Sequence, residues 1–149
     1  MEAVVFMGIQ ATGKSSFYKE RFFRSHVRIS LDLVRTRNRE RVLLEACLDT
    51  GQPFVIDNTN PTPEDRQRYI PRALERGFRV HGYYFSSSIA DALRRNGARR
   101  ELERVPERGV LACYARLERP TFAEGFDELS FVRLTANGFD VQEWNDEIR

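Results

Sequence analysis

The chain has 149 residues, 41% of them hydrophobic and 31% charged, with a formal net charge of +2 and two cysteines. That length suits one domain with a real core, and no apolar stretch is long enough to cross a membrane. Cys47 and Cys113 each sit in an apolar helical pattern and read as reduced core residues, which speaks against a disulfide or a metal pair.

In chain order, Ala3-Val4-Val5-Phe6-Met7 reads as a strand. It begins almost at Met1, which argues against a signal peptide and makes the cytoplasm the expected location. The strand runs into Gly8-Ile9-Gln10-Ala11-Thr12-Gly13-Lys14-Ser15, which is G-x-x-x-x-G-K-S, the phosphate-binding P-loop. A helix is expected from Lys14 to Arg24. The backbone of Gly8, Gln10, Ala11, Thr12, Gly13, Lys14, Ser15 and Ser16 then wraps the phosphates of ATP, because glycines permit close approach and helix N–H groups face the anion. Lys14 can reach the β- and γ-phosphates, and Ser15 can take one coordination place on Mg²⁺.

Val27-Arg28-Ile29-Ser30 is a short second strand, and Leu43, Leu44, Cys47 and Leu48 share one face of a helix that Gly51 stops. Phe54-Val55-Ile56-Asp57 is a third strand. The turn Asn58-Thr59-Asn60-Pro61-Thr62-Pro63 opens a helix to about Glu75, which Pro71 interrupts. Arg79 to Phe85 is a fourth strand, Ile89 to about Leu102 is helical, and Pro106 opens a helix with Val110, Leu111, Tyr114 and Leu117 on one face. Leu129 to Leu134 is a fifth strand. Residues 135–149 read as a polar tail, with Trp144 packing back onto the body. The alternation implies an α/β domain with a mostly parallel sheet, whose ligands sit beyond the carboxyl ends of the strands.

Three groups at those ends can do chemistry. Asp32 is either a general base for an acceptor hydroxyl or a helix N-cap with Arg35 as its i+3 ion-pair partner. Asp57 has Walker B character and can hold Mg²⁺, or it caps a turn. Ile89, Ala92 and Leu93 begin an apolar helix face that turns basic at Arg95, Asn96, Arg99 and Arg100. This fits a lid on phosphates, in which Arg95 and Arg99 grip one anion; a solvated helix end is the alternative. Lys14 and Lys19 are the only lysines among 24 basic residues. Codon bias is the first explanation, although arginine also suits bidentate phosphate contacts. His26 and His81 show no catalytic or zinc pattern and read as structural.

Taken together, Asp32-x-x-Arg35, Val55-Ile56-Asp57-Asn58-Thr59-Asn60-Pro61, Arg95-Asn96-x-x-Arg99, Val105-Pro106, Glu118-Arg119-Pro120 and Glu124-Gly125-Phe126 resemble the kinase domain of polynucleotide 5′-kinases. The likeness runs from Met1 to about Leu134. It implies a P-loop kinase domain over 1–134, with a lid at about 89–104 and five parallel strands in the order 2-3-1-4-5. It also implies roles: Asp32 as general base, Arg35 on the acceptor or its neighbouring phosphate, and Arg99 on the donor phosphates. The implied reaction is ATP-dependent phosphorylation of a 5′-hydroxyl nucleic acid end, with a repair partner protein possible because no phosphatase or ligase domain is attached. Two alternatives stand beside it: a kinase of a small-molecule alcohol such as a nucleoside, sugar or antibiotic, and an ATP-binding switch without transfer.

Overall fold

The computed structural model describes residues 1–86 and 88–145. Six strands, β1 (Glu2–Met7), β2 (Val27–Ile29), β3 (Phe54–Ile56), β4 (Arg79–Ser86), β5 (Glu128–Thr135) and β6 (Gly138–Glu143), form one sheet in the order β2-β3-β1-β4-β5-β6. Strands β1 to β5 pair in parallel, and β6 returns antiparallel to β5 through a tight turn. The expected order 2-3-1-4-5 is retained, but five strands is corrected to six. Residues 138–143 extend the sheet instead of forming an irregular tail. Of the segment expected as a tail, 146–149 lie outside the described residues.

Seven helices accompany the sheet among the described residues: α1 (Lys14–Arg21), α2 (Leu31–Val34), α3 (Arg37–Thr50), α4 (Pro63–Arg66), α5 (Ile70–Glu75), α6 (Ile89–Gly97) and α7 (Glu107–Arg116). The run Ala3 to Met7 is fully buried, as a central parallel strand covered on both faces must be. Successive side chains alternate between two cores. Val5 and Met7 pack with Leu44, Leu48 and Phe131 on one face. Val4 and Phe6 pack with Phe17, Phe22 and Phe85 on the other. Trp144, just past β6, stands edge-on to Tyr84 at 5.5 Å between ring centroids.

Helix boundaries depart from expectation where side chains redirect the chain. Helix α1 stops at Arg21 because buried Phe22 turns into the core beneath Phe6. Pro71 lies in the first turn of α5, where its missing N–H leaves no bond unmade. Helix α6 ends at Gly97 rather than near Leu102. Asn96 Nδ2 donates to the Val105 carbonyl at 2.6 Å and Asn96 Oδ1 accepts from Val105 N at 2.9 Å, so one buried amide closes the whole intervening loop. In α7 the inward residues are Val110 and Cys113, while Leu111 and Tyr114 are 45% and 47% exposed. The apolar stripe there runs through positions 110, 113 and 117, rotated from the expected face.

Candidate active site

The P-loop joins β1 to α1. Gly13 has φ 94°, a conformation that favours glycine, and a Cβ there would meet the Phe139 ring of β6 at 2.9 Å. Thr12 Oγ1 donates to the Ile9 carbonyl at 2.9 Å, tightening the loop from inside. Ala11 adopts φ 62°, and Gln10 Oε1 is buried without a hydrogen-bond partner. Ser16 is exposed on the first turn of α1. Ile9 sits in an apolar cluster with Ala92, Val110 and Cys113, so the loop is packed directly against α6 and α7.

Lys14 is buried, and its Nζ donates to the carbonyls of Gly8 at 2.9 Å and Ile9 at 2.6 Å. Burial pushes its ammonium down to about 8, Arg99 pushes the same way, and the carboxylates of Asp57 and Asp32 oppose it. These charges therefore lie within electrostatic reach of one another at the P-loop. A bound polyphosphate favours the charged lysine, so ATP binding takes up a proton once the pH exceeds about 8. Calorimetry in buffers of different ionisation enthalpy is expected to show ~0.5 proton taken up near that pH, with the uptake vanishing in Lys14→Arg, whose side chain stays charged.

Ser15 Oγ donates to Asp57 Oδ2 at 3.0 Å. Asp57 follows β3, and its side chain is only 3% exposed. A hydroxyl and a carboxylate at this spacing are hard oxygen donors of the kind Mg²⁺ takes. Arg28, on β2, joins them: its Nε donates to Asp57 Oδ2 at 2.8 Å and its Nη2 to Ser15 Oγ at 3.2 Å.

Across the cleft, Asp32 lies in α2. It is not the cap. Ser30 is, accepting from Asp32 N at 3.3 Å, and no ion pair joins Asp32 to Arg35 among the described residues. The Asp32 carboxylate is exposed and makes no hydrogen bond among the described residues. Arg35 ends α2 with φ 74°, a strained conformation for a side-chain-bearing residue. The non-glycine residues at positive φ among the described ones are Ala11 in the P-loop, Arg35 at the end of α2 and Asn60 in the loop after β3. Arg37 is turned inward onto Glu40 and Tyr69, whereas the Arg35 guanidinium has no partner among the described residues.

The loop after β3 ties both sides together. Thr59 O accepts from Gly8 N at 2.9 Å, at the start of the P-loop. Asn58 Oδ1 accepts from Leu31 N at 2.9 Å, at the start of α2. Asn60 Nδ2 donates to the Phe6 carbonyl at 2.8 Å. Asn58 is held in turn by buried Glu40, whose Oε2 also accepts from the Tyr69 hydroxyl at 3.1 Å. Burial beside that carboxylate pushes the Tyr69 phenol up to about 12. Beneath the loop, fully buried Arg66 donates to the carbonyls of Asn60, Pro61 and Glu118 and to both oxygens of Glu124. Glu40, Arg66 and Arg28 were not singled out from sequence, where each reads as one more surface charge; only their burial and partners reveal them.

Arg95 and Arg99 lie at the end of α6 and in the loop after it, both half-buried. A cleft of about 280 Å³, lined by Gln10, Leu31, Arg37, Asn58, Cys113 and Arg116 among others, opens between the P-loop, the start of α2 and α7. The site thus brings a phosphate-binding loop, a free carboxylate and flanking guanidinium groups to one face.

The chain has similar proteins both in sequence and in fold. The chain is 29% identical over 150 aligned positions to a bifunctional polynucleotide phosphatase/kinase of Schizosaccharomyces pombe. The match covers 97% of this chain and 36% of that protein, so the chain spans about a third of its relative. A gluconokinase from Sinorhizobium meliloti 1021 superposes with TM-score 0.60 at 17% identity, covering 88% of this chain and 81% of that one. Chaetomium thermophilum Kti12 in complex with ADP-AlF3 superposes with TM-score 0.62 at 16% identity, covering 97% and 90%. At that identity these two show the fold alone. Residues 4–120 match the AAA domain family AAA_33, and the chain belongs to that family.

Proposed function

We propose that the protein transfers the γ-phosphoryl group of ATP to the 5′-hydroxyl of a polynucleotide. The observation that carries this reading is the Asp32 carboxylate, exposed and unengaged, on a helix tied through Asn58 to the loop that also holds Gly8. A structural aspartate at this place would be expected to cap α2 or pair with Arg35, and it does neither. The polynucleotide acceptor is supported by the name of the yeast relative, whose likeness extends over nearly the whole chain.

In the reaction the 5′-oxygen attacks the γ-phosphorus, the bond from that phosphorus to the β,γ-bridging oxygen breaks, and ADP leaves. Asp32 accepts the hydroxyl proton. Lys14 and Arg99 offset charge on the transferred group, and Arg35 holds the acceptor's neighbouring phosphate. Ser15 and Asp57 would hold Mg²⁺, which supplies further neutralisation of the phosphate oxygens. Positioning and electrostatics supply most of the rate in such transfers. The cleft of about 280 Å³ favours one second reading, in which the acceptor is a small alcohol that fills it.

A labelled γ-phosphate transfer assay comparing 5′-hydroxyl oligonucleotides with nucleosides and sugars separates the two. The oligonucleotide is expected to be labelled, and its apparent affinity to fall between about 50 and 200 mM salt, by roughly 2–3-fold for each backbone phosphate contacted. Labelling of sugars or nucleosides alone, with no salt dependence, moves the assignment to the second reading. ATP binding with no transfer to any hydroxyl removes both.

A further inference from the structure

Arg28 is placed where a P-loop kinase is expected to hold a metal ion. Its strand alternates, so while Ile29 goes into one core, Arg28 projects toward α1 on the other face. The Tyr18 hydroxyl, donating to the His26 carbonyl at 2.6 Å, ties α1 to the entry of β2, the strand that carries Arg28. The guanidinium then bridges two oxygens: Asp57 Oδ2 at 2.8 Å and Ser15 Oγ at 3.2 Å. A counter-ion for buried Asp57 needs only the first contact. The second uses a lone pair of the hydroxyl through which Ser15 would bind a divalent cation. A divalent ion on the same two oxygens would meet the guanidinium at contact distance, and the repulsion between the two cations disfavours joint occupancy. The Arg28 side chain is 27% exposed, so it has a route outward to solvent.

We propose that Arg28 is a resident cation of the donor site. It occupies the Ser15–Asp57 pair when nucleotide is absent, competes with the divalent ion for it, and must swing out when the metal–nucleotide complex enters. The inference rests on the reading of Ser15 and Asp57 as the metal-holding pair. Arg28 then acts as a specificity-determining residue: it disfavours bare metal and makes metal entry depend on the phosphates that arrive with it.

The test measures Mn²⁺ binding to nucleotide-free protein by the electron paramagnetic resonance of the free ion, with a Mg²⁺ thermal-shift series beside it. Wild-type protein is expected to bind Mn²⁺ weakly and to gain little from Mg²⁺. Arg28→Gln is expected to bind Mn²⁺ at least roughly tenfold more tightly, to melt lower without metal and to be restored by Mg²⁺. Arg28→Lys keeps the charge beside Asp57 but loses the fork to Ser15, and is expected to fall between the two. Wild-type Mn²⁺ affinity in both variants, or in the lysine variant alone if the glutamine one does not fold, overturns the proposal. Adding Asp57→Asn to the tighter-binding variant is expected to abolish the gain; a gain that survives places the ion elsewhere and sinks the metal reading as well. Unchanged Mn²⁺ affinity together with transfer that still needs Mg²⁺ and collapses in Asp57→Asn leaves the metal reading standing and removes only the role of Arg28.

Discussion

Asp32→Ala is expected to slow phosphoryl transfer by roughly 10²–10⁴-fold, the usual worth of a positioned general base, while ATP affinity stays nearly unchanged. The residue is exposed on α2, so its removal makes no cavity and breaks no side-chain bond; stability is expected to move by no more than about 0.5 kcal/mol. Single-turnover transfer and fluorescent-nucleotide titration measure the two quantities separately. Normal turnover removes the base assignment. A parallel loss of ATP affinity instead assigns Asp32 to the donor side. Asp32→Asn, which keeps the shape and loses the basicity, is expected to be as slow as the alanine variant.

The largest effect on stability is expected at Arg66. Its side chain is fully buried and pairs with Glu124 at 3.1 Å, and it also satisfies the carbonyls of Asn60, Pro61 and Glu118. Arg66→Ala leaves a buried carboxylate without its counter-ion. Breaking one side of such a pair costs about 3–5 kcal/mol, which in a domain of this size lowers the melting midpoint by roughly 10–15 °C. Arg66→Leu combined with Glu124→Leu is expected to recover part of the loss, since an apolar replacement of both partners leaves no charge unpaired. Thermal unfolding followed by circular dichroism decides it, and a midpoint within about 2 °C of wild type for Arg66→Ala means that the pair contributes little.

What could be read from the sequence was the part carried by local pattern. The P-loop, its strand and its helix are legible because G-x-x-x-x-G-K-S combines a fixed spacing with residue types that each have a physical reason. Asp32 and Asp57 were legible as carboxylates at strand ends. Strand β6 was not, because it is an edge strand: Phe139 and Val141 pack against a core, while Asp140, Gln142 and Glu143 are polar and exposed. Glu40, Arg66 and Arg28 were hidden for another reason. In a chain that is 31% charged, any one charged residue looks like surface, and burial is decided by elements far away in sequence. Asn96 is an instructive middle case. Its position beside the basic lid face was noted, but its part in the structure is to fold the chain back at Val105.

The Phe139 ring beneath Gly13 has a consequence for how the protein is made. The P-loop leaves the ribosome well before the aromatic surface against which Gly13 and Phe17 rest, because that surface belongs to β6. At ordinary synthesis speeds the interval between the two is on the order of ten seconds. During that time β1 also waits for β3 and β4, the partners on its two sides. The nascent chain therefore carries its phosphate-binding loop without that aromatic support until β6 has been made.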